Sequence, residues 1–250
     1  RRFWQRELGL GDDDLRLCWL PDTFGYSGAL PQILRGTGME WLQTIKLAWN
    51  TVNDFPHRSF RWAGIDGSEV LVHMPPEGDY NSRAAADGLL RGLRQHPERD
   101  TGTAQRLDGG GDGGGGPSEV HHELLDREIG PDGTGIPGLP RVRRGSASSF
   151  FRDLATRDVP HLHRGELYLE RHQGTATTQA ATKRWNRTLE RLLHDVEALA
   201  AAHGPAVRER VRDELEPVWQ EALLQQFHDI LPGSSIARVH RESVAAFERL

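Results

Sequence analysis

The sequence predicts a mixed α/β region followed by an all-helical one, and three observations carry that expectation. The first is the stretch Trp19-Leu20-Pro21-Asp22-Thr23-Phe24-Gly25-Tyr26-Ser27. An apolar run from Leu15 to Leu20 leads into it, and Leu30, Ile33 and Leu34 follow at helical spacing, which reads as strand, tight loop and helix. The second is the pair Phe60-Arg61-Trp62 and Val70 to Val72 around Asp66-Gly67, read as two strands about a turn. The third is the change of character after Pro160. From Thr177 to Ala202 the chain is helical in pattern, and two further helices follow with short joints, which suggests a bundle. The expected boundary lies near Arg164, giving regions 1–164 and 165–250.

Taken in order, Arg1 to Leu8 reads as the end of a helix and Leu15 to Leu20 as the first strand. The helix after the key loop closes at Gly36-Thr37-Gly38. Met39 to Leu47 reads as a second strand whose end carries Lys46, Trp49 and Asn50. The Val70–Val72 strand runs out into His73-Met74-Pro75-Pro76 and then a loop with Glu77, Asp79, Tyr80 and Asn81. Arg83 to Gln95 is an amphipathic helix ended by Pro97. The run Asp108 to Pro117 is so rich in glycine that it reads as a linker. The alternative is a backbone that passes close to a ligand. Ser118 and Ser146 are the expected caps of helices ending at Ile129 and Ala155. Gly165 to Glu170 is a short extended segment. In the helical region, Gly204-Pro205 breaks the first helix, Pro217 is the expected first turn of the second, and Ser234 or Ser235 the cap of the third.

Composition narrows the function. The 250 residues carry a formal net charge of −5, so nothing points to nucleic acid or to an anionic membrane. No apolar run is long enough for a bilayer. The single cysteine, Cys18, lies in the first apolar run and reads as a core residue, with no disulfide possible inside the chain. There is no phosphate loop, nucleophile elbow, zinc-protease helix or dinucleotide fingerprint. The chain opens on Arg1 without a signal-type apolar stretch and reads as a piece of something longer. The expected compartment is cytoplasmic.

Loops at the carboxyl ends of strands hold ligands and catalytic groups in α/β proteins, which makes Asp22 a candidate. Spacing alone equally allows it to order the turn or cap a helix. Asp22 with Glu166 or Glu170 would supply the two carboxyl groups of glycoside chemistry. His228-Asp229 pairs an imidazole with a carboxylate, as metal and acid–base sites do, or simply sits at a helix C-terminus. His121-His122 and His161-x-His163 lack the spacing of a structural zinc site and read as surface histidines.

Together, the Trp19–Ser27 stretch with Leu30-Pro-Gln-Ile33, Ile65-Asp-Gly67 leading to His73-Met-Pro-Pro76, and Gly111-Asp-Gly-Gly-Gly-Gly-Pro117 resemble glycoside hydrolase family 38, the class II α-mannosidases. So do Gly165-Glu-Leu-Tyr-Leu-Glu170 with Thr182-Lys-Arg184, and Gln226-Phe-His-Asp-Ile-Leu-Pro-Gly-Ser-Ser235. The resemblance implies part of a seven-stranded β/α barrel followed by a three-helix middle domain. It implies metal-assisted hydrolysis of terminal α-D-mannosyl residues with retention, acting on α-mannoside oligosaccharides or glycans. Asp22 matches the nucleophile, which also touches the metal, usually Zn²⁺, and His228 matches a metal-ligating histidine. Glu170 is the expected general acid, with Glu166 as the alternative. Trp19, Phe24, Tyr26, Lys46, Asp79, Tyr80, Asp112, His172 and Asp229 are the expected substrate-binding residues. The family's remaining metal ligands, a His-x-Asp pair, are not among these residues, and homo-oligomerisation of the full-length enzyme stays open. Two alternatives stand beside this reading: an inactive sugar-binding remnant, and a helical interaction module.

Overall fold

The structure is a computed structural model that describes residues 1–109 and 115–250. Asp112 and most of the glycine run lie outside the described residues. The chain divides into two compact units, Arg1–Arg171 and His172–Leu250.

The first unit contains α1 (Arg2–Leu8), β1 (Leu17–Trp19), β2 (Gly25–Tyr26), α2 (Leu30–Gly36), β3 (Trp41–Gln43), β4 (Ser59–Ala63) and β5 (Glu69–His73). After these come α3 (Ala86–Gln95), α4 (Glu119–Ile129), α5 (Ala147–Leu154), β6 (Leu162–Arg164) and β7 (Leu167–Tyr168). Five strands form one sheet in the order β1-β3-β5-β4-β6, and β2 pairs with β7 in a second, two-stranded sheet. β1, β3 and β5 run parallel, β4 returns antiparallel to β5, and β6 runs parallel to β4. The register aligns Trp19, Gln43, His73 and Ser59 in one row across the sheet. That row lies at the carboxyl ends of the three parallel strands, where the Asp22 and Lys46 loops depart.

Both faces of the sheet are covered, which is why its strands read as apolar runs. Successive strand residues point to opposite faces. Leu42, Phe60, Trp62, Val70 and Val72 therefore join one core cluster with Tyr26, Leu34 and Met74. Their neighbours Trp41 and Leu71 join another with Phe150, Phe151 and Leu154 of α5. Phe60, Trp62 and Val72 are fully buried, and burying a side chain of this size stabilises by about 1.5–3 kcal/mol. Trp62 also donates its indole N–H to the Gly165 carbonyl at 2.6 Å, tying β4 to the turn before β7.

Several elements are shorter than the sequence pattern suggests. The first strand begins only at Leu17, because Asp14–Arg16 forms a 3-10 turn. The second ends at Gln43, and Lys46–Trp49 coils into a 3-10 helix instead. Ile33 points outward while Leu34 is buried. The segment before the glycine run makes only one isolated bridge, Ser82 to Asp108. It is held by charge: Arg106 pairs with Asp108 at 2.5 Å and with Glu128 of α4 at 2.6 Å. Ser118 caps α4 in a capping box with His121, and Ser146 caps α5 by accepting from the Ser149 amide at 3.1 Å.

The second unit contains α6 (Ala180–Ala202), α7 (Pro205–Gln225) and α8 (Ala237–Phe247). Leu189 and Leu193 of α6, Ala222 of α7 and Phe247 of α8 form its core, backed by Trp185, Leu215, Val218 and Trp219. Leu192, Val196 and Leu199, at the same helical spacing, are exposed instead. Two expectations are corrected. α7 starts at Pro205, directly after Gly204 at φ 98°, and passes through Pro217. A proline suits a first turn because the N–H it lacks is unsatisfied there anyway. Inside the helix, Pro217 instead deprives the Asp213 carbonyl of its donor. The cap of α8 is Ile236, with no side-chain hydrogen bond, because the Ser234 hydroxyl donates to Asp229 at 2.6 Å. Among the described residues no helix is long and apolar enough to cross a membrane.

The loop between β1 and α2 depends on Gly25, whose φ is 108° and whose missing Cβ would lie 3.0 Å from the Leu167 carbonyl. A side chain there meets both an unfavourable φ and the backbone of β7. Gly25→Ala is expected to destabilise the chain by about 1–3 kcal/mol. A lowered denaturant midpoint at unchanged m value checks this, and an unaltered midpoint refutes it.

Candidate active site

Two loops leave adjacent parallel strands and meet at an ion pair. β1 ends at Trp19, and the Leu20 amide donates to the Gln43 carbonyl at 2.9 Å before the chain turns at Pro21-Asp22. β3 ends at Gln43, and Lys46 opens the 3-10 turn that follows. The Lys46 ammonium pairs directly with Asp22 Oδ1. The lysine side chain is 5% exposed and the aspartate 21%. Such a pair is costly to break, by about 3–5 kcal/mol when one partner is removed, because the other charge stays behind in a partly dry site.

The ammonium also lies 3.6 Å from the centre of the Trp49 ring, 5.7 Å from that of Tyr80 and 5.8 Å from that of Phe24. Aromatic faces attract a desolvated cation. Tyr80 stacks on Trp49 at 6.5 Å and 18°, and the Trp49 indole donates to the Gly78 carbonyl at 3.1 Å. Phe24 comes from the first loop, Lys46 and Trp49 from the second, and Tyr80 from the third. The sequence expectation named Phe24, Lys46 and Tyr80 as binding residues and placed Trp49 beside Lys46 at a strand end without giving it such a role. Its signal was the i, i+3 spacing from Lys46 in a short helical turn.

Tyr26 is not at the surface of this site. It is buried in the core and packs edge-on against Trp62. Its hydroxyl donates to the Leu20 carbonyl at 2.7 Å and pairs with Thr44 at 2.6 Å. Burial pushes its ionisation well above the usual phenol range. Tyr26 thus braces the two loops against each other from within the core. Trp19 is half-exposed at the end of β1. Cys18, beside it in the strand, is pushed up to about 11 by burial and is an inert core thiol. Asp79 accepts the Asn81 amide at 2.8 Å and lines a polar cavity of about 200 Å³ with Glu77, Arg83, Asp87 and Arg91.

Glu170 is held in an unexpected way. Its Oε1 accepts the backbone N–H groups of Thr51, at 2.6 Å, and of Val52 and Asn53, while Oε2 accepts the Asn53 side-chain amide at 3.2 Å. The Asn50 side chain in turn accepts the Glu170 amide at 3.2 Å. These backbone donors, the Val52 amide first, lower the proton affinity of the carboxyl below the usual range. A general acid needs the opposite, a proton retained near neutrality. In this arrangement Glu170 latches the loop after Trp49. Glu166, its alternative, is an exposed residue before β7, and its backbone carbonyl meets His163 Nε2 at 2.8 Å.

The remaining expected residues belong to the second unit. His172 sits at a kink in the 3-10 segment Glu170–Ala176. His228 follows the end of α7, with Nε2 3.7 Å from Asp229 Oδ2 and its ring 4.2 Å from that of Phe227. Asp229 closes the loop before α8, accepting the Ser234 hydroxyl and the Ser235 amide. The histidines read as surface groups differ in fact: His161 and His163 are half-buried. His163 lies against Phe55 and Phe60, and His161 stacks on His57.

Comparison with known proteins adds two family matches. Residues 1–188 match the glycosyl hydrolases family 38 N-terminal domain, and residues 170–250 match the alpha mannosidase middle domain. The chain is 44% identical over 99% of its length to a human protein named alpha-mannosidase 2C1. It is 39% identical over 96% of its length to an alpha-mannosidase of Saccharomyces cerevisiae. It spans about a quarter of the length of these relatives, 24% and 23%. A solved alpha-mannosidase structure from Enterococcus faecalis shares the fold at a TM-score of 0.65 and 16% identity, covering 94% of this chain and 28% of that one.

The Glu170 latch has a pH signature. Because the folded carboxyl binds its proton less tightly than the unfolded one, the latch stabilises the loop above the usual carboxylate range. That contribution disappears as the pH falls through the lowered value. Glu170→Gln, which removes the charge at all pH values, is expected to lose the hydrogen-exchange protection of the Thr51, Val52 and Asn53 amides at neutral pH. Protection equal to that of the parent chain would refute the latch.

Proposed function

Because the chain belongs to glycosyl hydrolase family 38, we propose that it is the part of an α-mannosidase that supplies the attacking carboxylate and one metal-binding histidine. In this reading the first unit is a section of the seven-stranded β/α barrel and the second is the three-helix middle domain. The reaction is hydrolysis of a terminal α-D-mannosyl residue with retention of configuration. The observation that carries the reading is the Asp22–Lys46 pair, set among aromatic side chains at the carboxyl ends of parallel strands.

Asp22 is the nucleophile. Its carboxylate oxygen forms a bond to the anomeric carbon as the glycosidic C–O bond breaks, and water then attacks the same carbon and releases Asp22. Lys46 supplies the countercharge and holds the carboxylate in place, and Tyr26 fixes both loops from below. Trp19 and Phe24 offer flat apolar faces to the sugar. The departing oxygen takes its proton from a carboxyl group of the enzyme, for which Glu170 and Glu166 are the candidates in this chain.

By the family reading, Asp22 and His228 would each offer one ligand to a divalent cation of the zinc type. The set is a carboxylate and an imidazole, and Asp229 at 3.7 Å gives the imidazole the carboxylate neighbour that commonly orients a metal-bound histidine. When bound, the cation would act as a Lewis acid on sugar hydroxyls and help the ring towards the oxocarbenium-like state. The substrate class proposed is α-mannoside oligosaccharides or glycans.

The test uses the chain within a full-length protein of the relatives' size. The parent should hydrolyse an aryl α-mannoside with retention, and Asp22→Asn should lower kcat by several orders of magnitude in the fraction that circular dichroism shows to be folded, because an amide cannot form the glycosyl ester. A variant that keeps more than about a tenth of the parental rate would exclude Asp22 as nucleophile. Mannoside binding without turnover by the parent would favour a sugar-binding remnant.

A further inference from the structure

The geometry points to a second cation site, separate from Asp22 and His228: a divalent transition-metal site made by His57, Glu98 and His161. Three distant stretches converge there. His57 precedes β4 and His161 precedes β6, and these strands are parallel neighbours, with Arg61 opposite Leu162. The Arg61 amide donates to the His161 carbonyl at 2.8 Å, so both imidazoles leave from the same end of the sheet. Glu98 comes from the turn after Pro97, and its own carbonyl accepts the Thr101 amide and hydroxyl.

The two oxygens of Glu98 are used differently. Its side chain is only 1% exposed. Oε2 accepts the backbone amides of Arg58 at 2.9 Å and Ser59 at 3.2 Å. Oε1 meets His57 Nδ1 at 3.1 Å. A carboxylate anchored through one oxygen presents the other as a ligand, the arrangement that second-shell bonds give metal-binding carboxylates. The His161 ring lies 4.7 Å from that of His57, and among the described residues no hydrogen bond holds it. One donor atom from each of the three residues lies within 4.8 Å of the others. Zinc–ligand bonds of about 2.1 Å in tetrahedral geometry need donors roughly 3.4 Å apart. His57 and Glu98 already meet this at 3.1 Å, and the His161 nitrogen lies within 4.8 Å of both.

The plain alternative is a buried acid satisfied by hydrogen bonds with a histidine beside it. It accounts for His57 and for Oε2, but leaves the half-buried His161 ring without a polar partner. The charge balance narrows the ion. Arg58 faces Glu98 electrostatically, so the net attraction for a hard cation is small and binding must rest on the imidazoles. That favours Zn²⁺, Co²⁺ or Ni²⁺ over Mg²⁺ or Ca²⁺. Phe55 and Phe60 pack around His57 and limit water. With three protein ligands, a water completes the shell. Such an ion would clip the approaches to β4 and β6 to the Glu98 turn.

Zn²⁺ titration of the 250-residue chain carrying Asp22→Asn and His228→Gln, against a chromophoric chelator, isolates this site. One equivalent is expected to bind, and Co²⁺ should give the intense visible bands of a tetrahedral ion. Adding His161→Phe, which keeps the stack on His57 but removes both nitrogens, should weaken binding at least about tenfold. Glu98→Gln should do the same, and agreement between the two separates ligand loss from misfolding of either variant. Absence of Zn²⁺ binding in an Asp22→Asn/His228→Gln chain that circular dichroism shows to be folded, or in the folded parent chain, overturns the proposal, as does undiminished binding in a folded His161→Phe variant.

Discussion

The contact between the Lys46 ammonium and the Asp22 carboxylate is the constraint around which the first unit is arranged. A lysine this deeply buried needs an anion and a polarisable surround, and the fold supplies both. The anion comes from the loop after β1. The surround is Trp49, Tyr80 and Phe24, drawn from three separate loops. The pair and its aromatic surround thus join three loops at the carboxyl end of the sheet. The register row Trp19–Gln43–His73–Ser59 sets the level at which it sits.

Beneath the pair, Tyr26 turns an apolar core position into a fastening. Its ring belongs to the main cluster and its hydroxyl reaches Leu20 and Thr44, the residues that lead into Asp22 and Lys46. Beside the pair, Glu170 gathers the amides after the 3-10 turn and keeps Trp49 in position. Both residues look like ligand contacts when only their type and neighbourhood are considered. Both hold the loops that carry Asp22 and Lys46 in place, and in the proposed reaction a carboxylate that must meet an anomeric carbon benefits from that rigidity.

The same logic separates the two polar centres of the first unit. At Asp22 a fixed ammonium balances the carboxylate. At Glu98 backbone amides and Arg58 do so, while two imidazoles stand close by. One centre is built around a direct ion pair, the other around a carboxylate anchored by backbone amides with imidazoles beside it.

Local chemistry determined much of this protein directly from its residues. The turn residues Pro21, Asp22 and Gly25, the hairpin around Asp66-Gly67, the caps Ser118 and Ser146 and the break at Gly204 act over a few positions, and their effect does not depend on distant partners. The ordered motifs also sufficed for the family. What only the tertiary structure decided was the use of each side chain. Period-two alternation leaves open which face a strand residue lines, so Tyr26 reads as readily for a ligand as for the core. The partner of Glu170 lies about 120 residues away in sequence, as His57 and His161 lie about 100 apart, and no local pattern encodes such pairings. Pro217 obeyed the packing of α7 over its own preference for a first turn, because contacts along a whole helix outweigh the propensity of one residue.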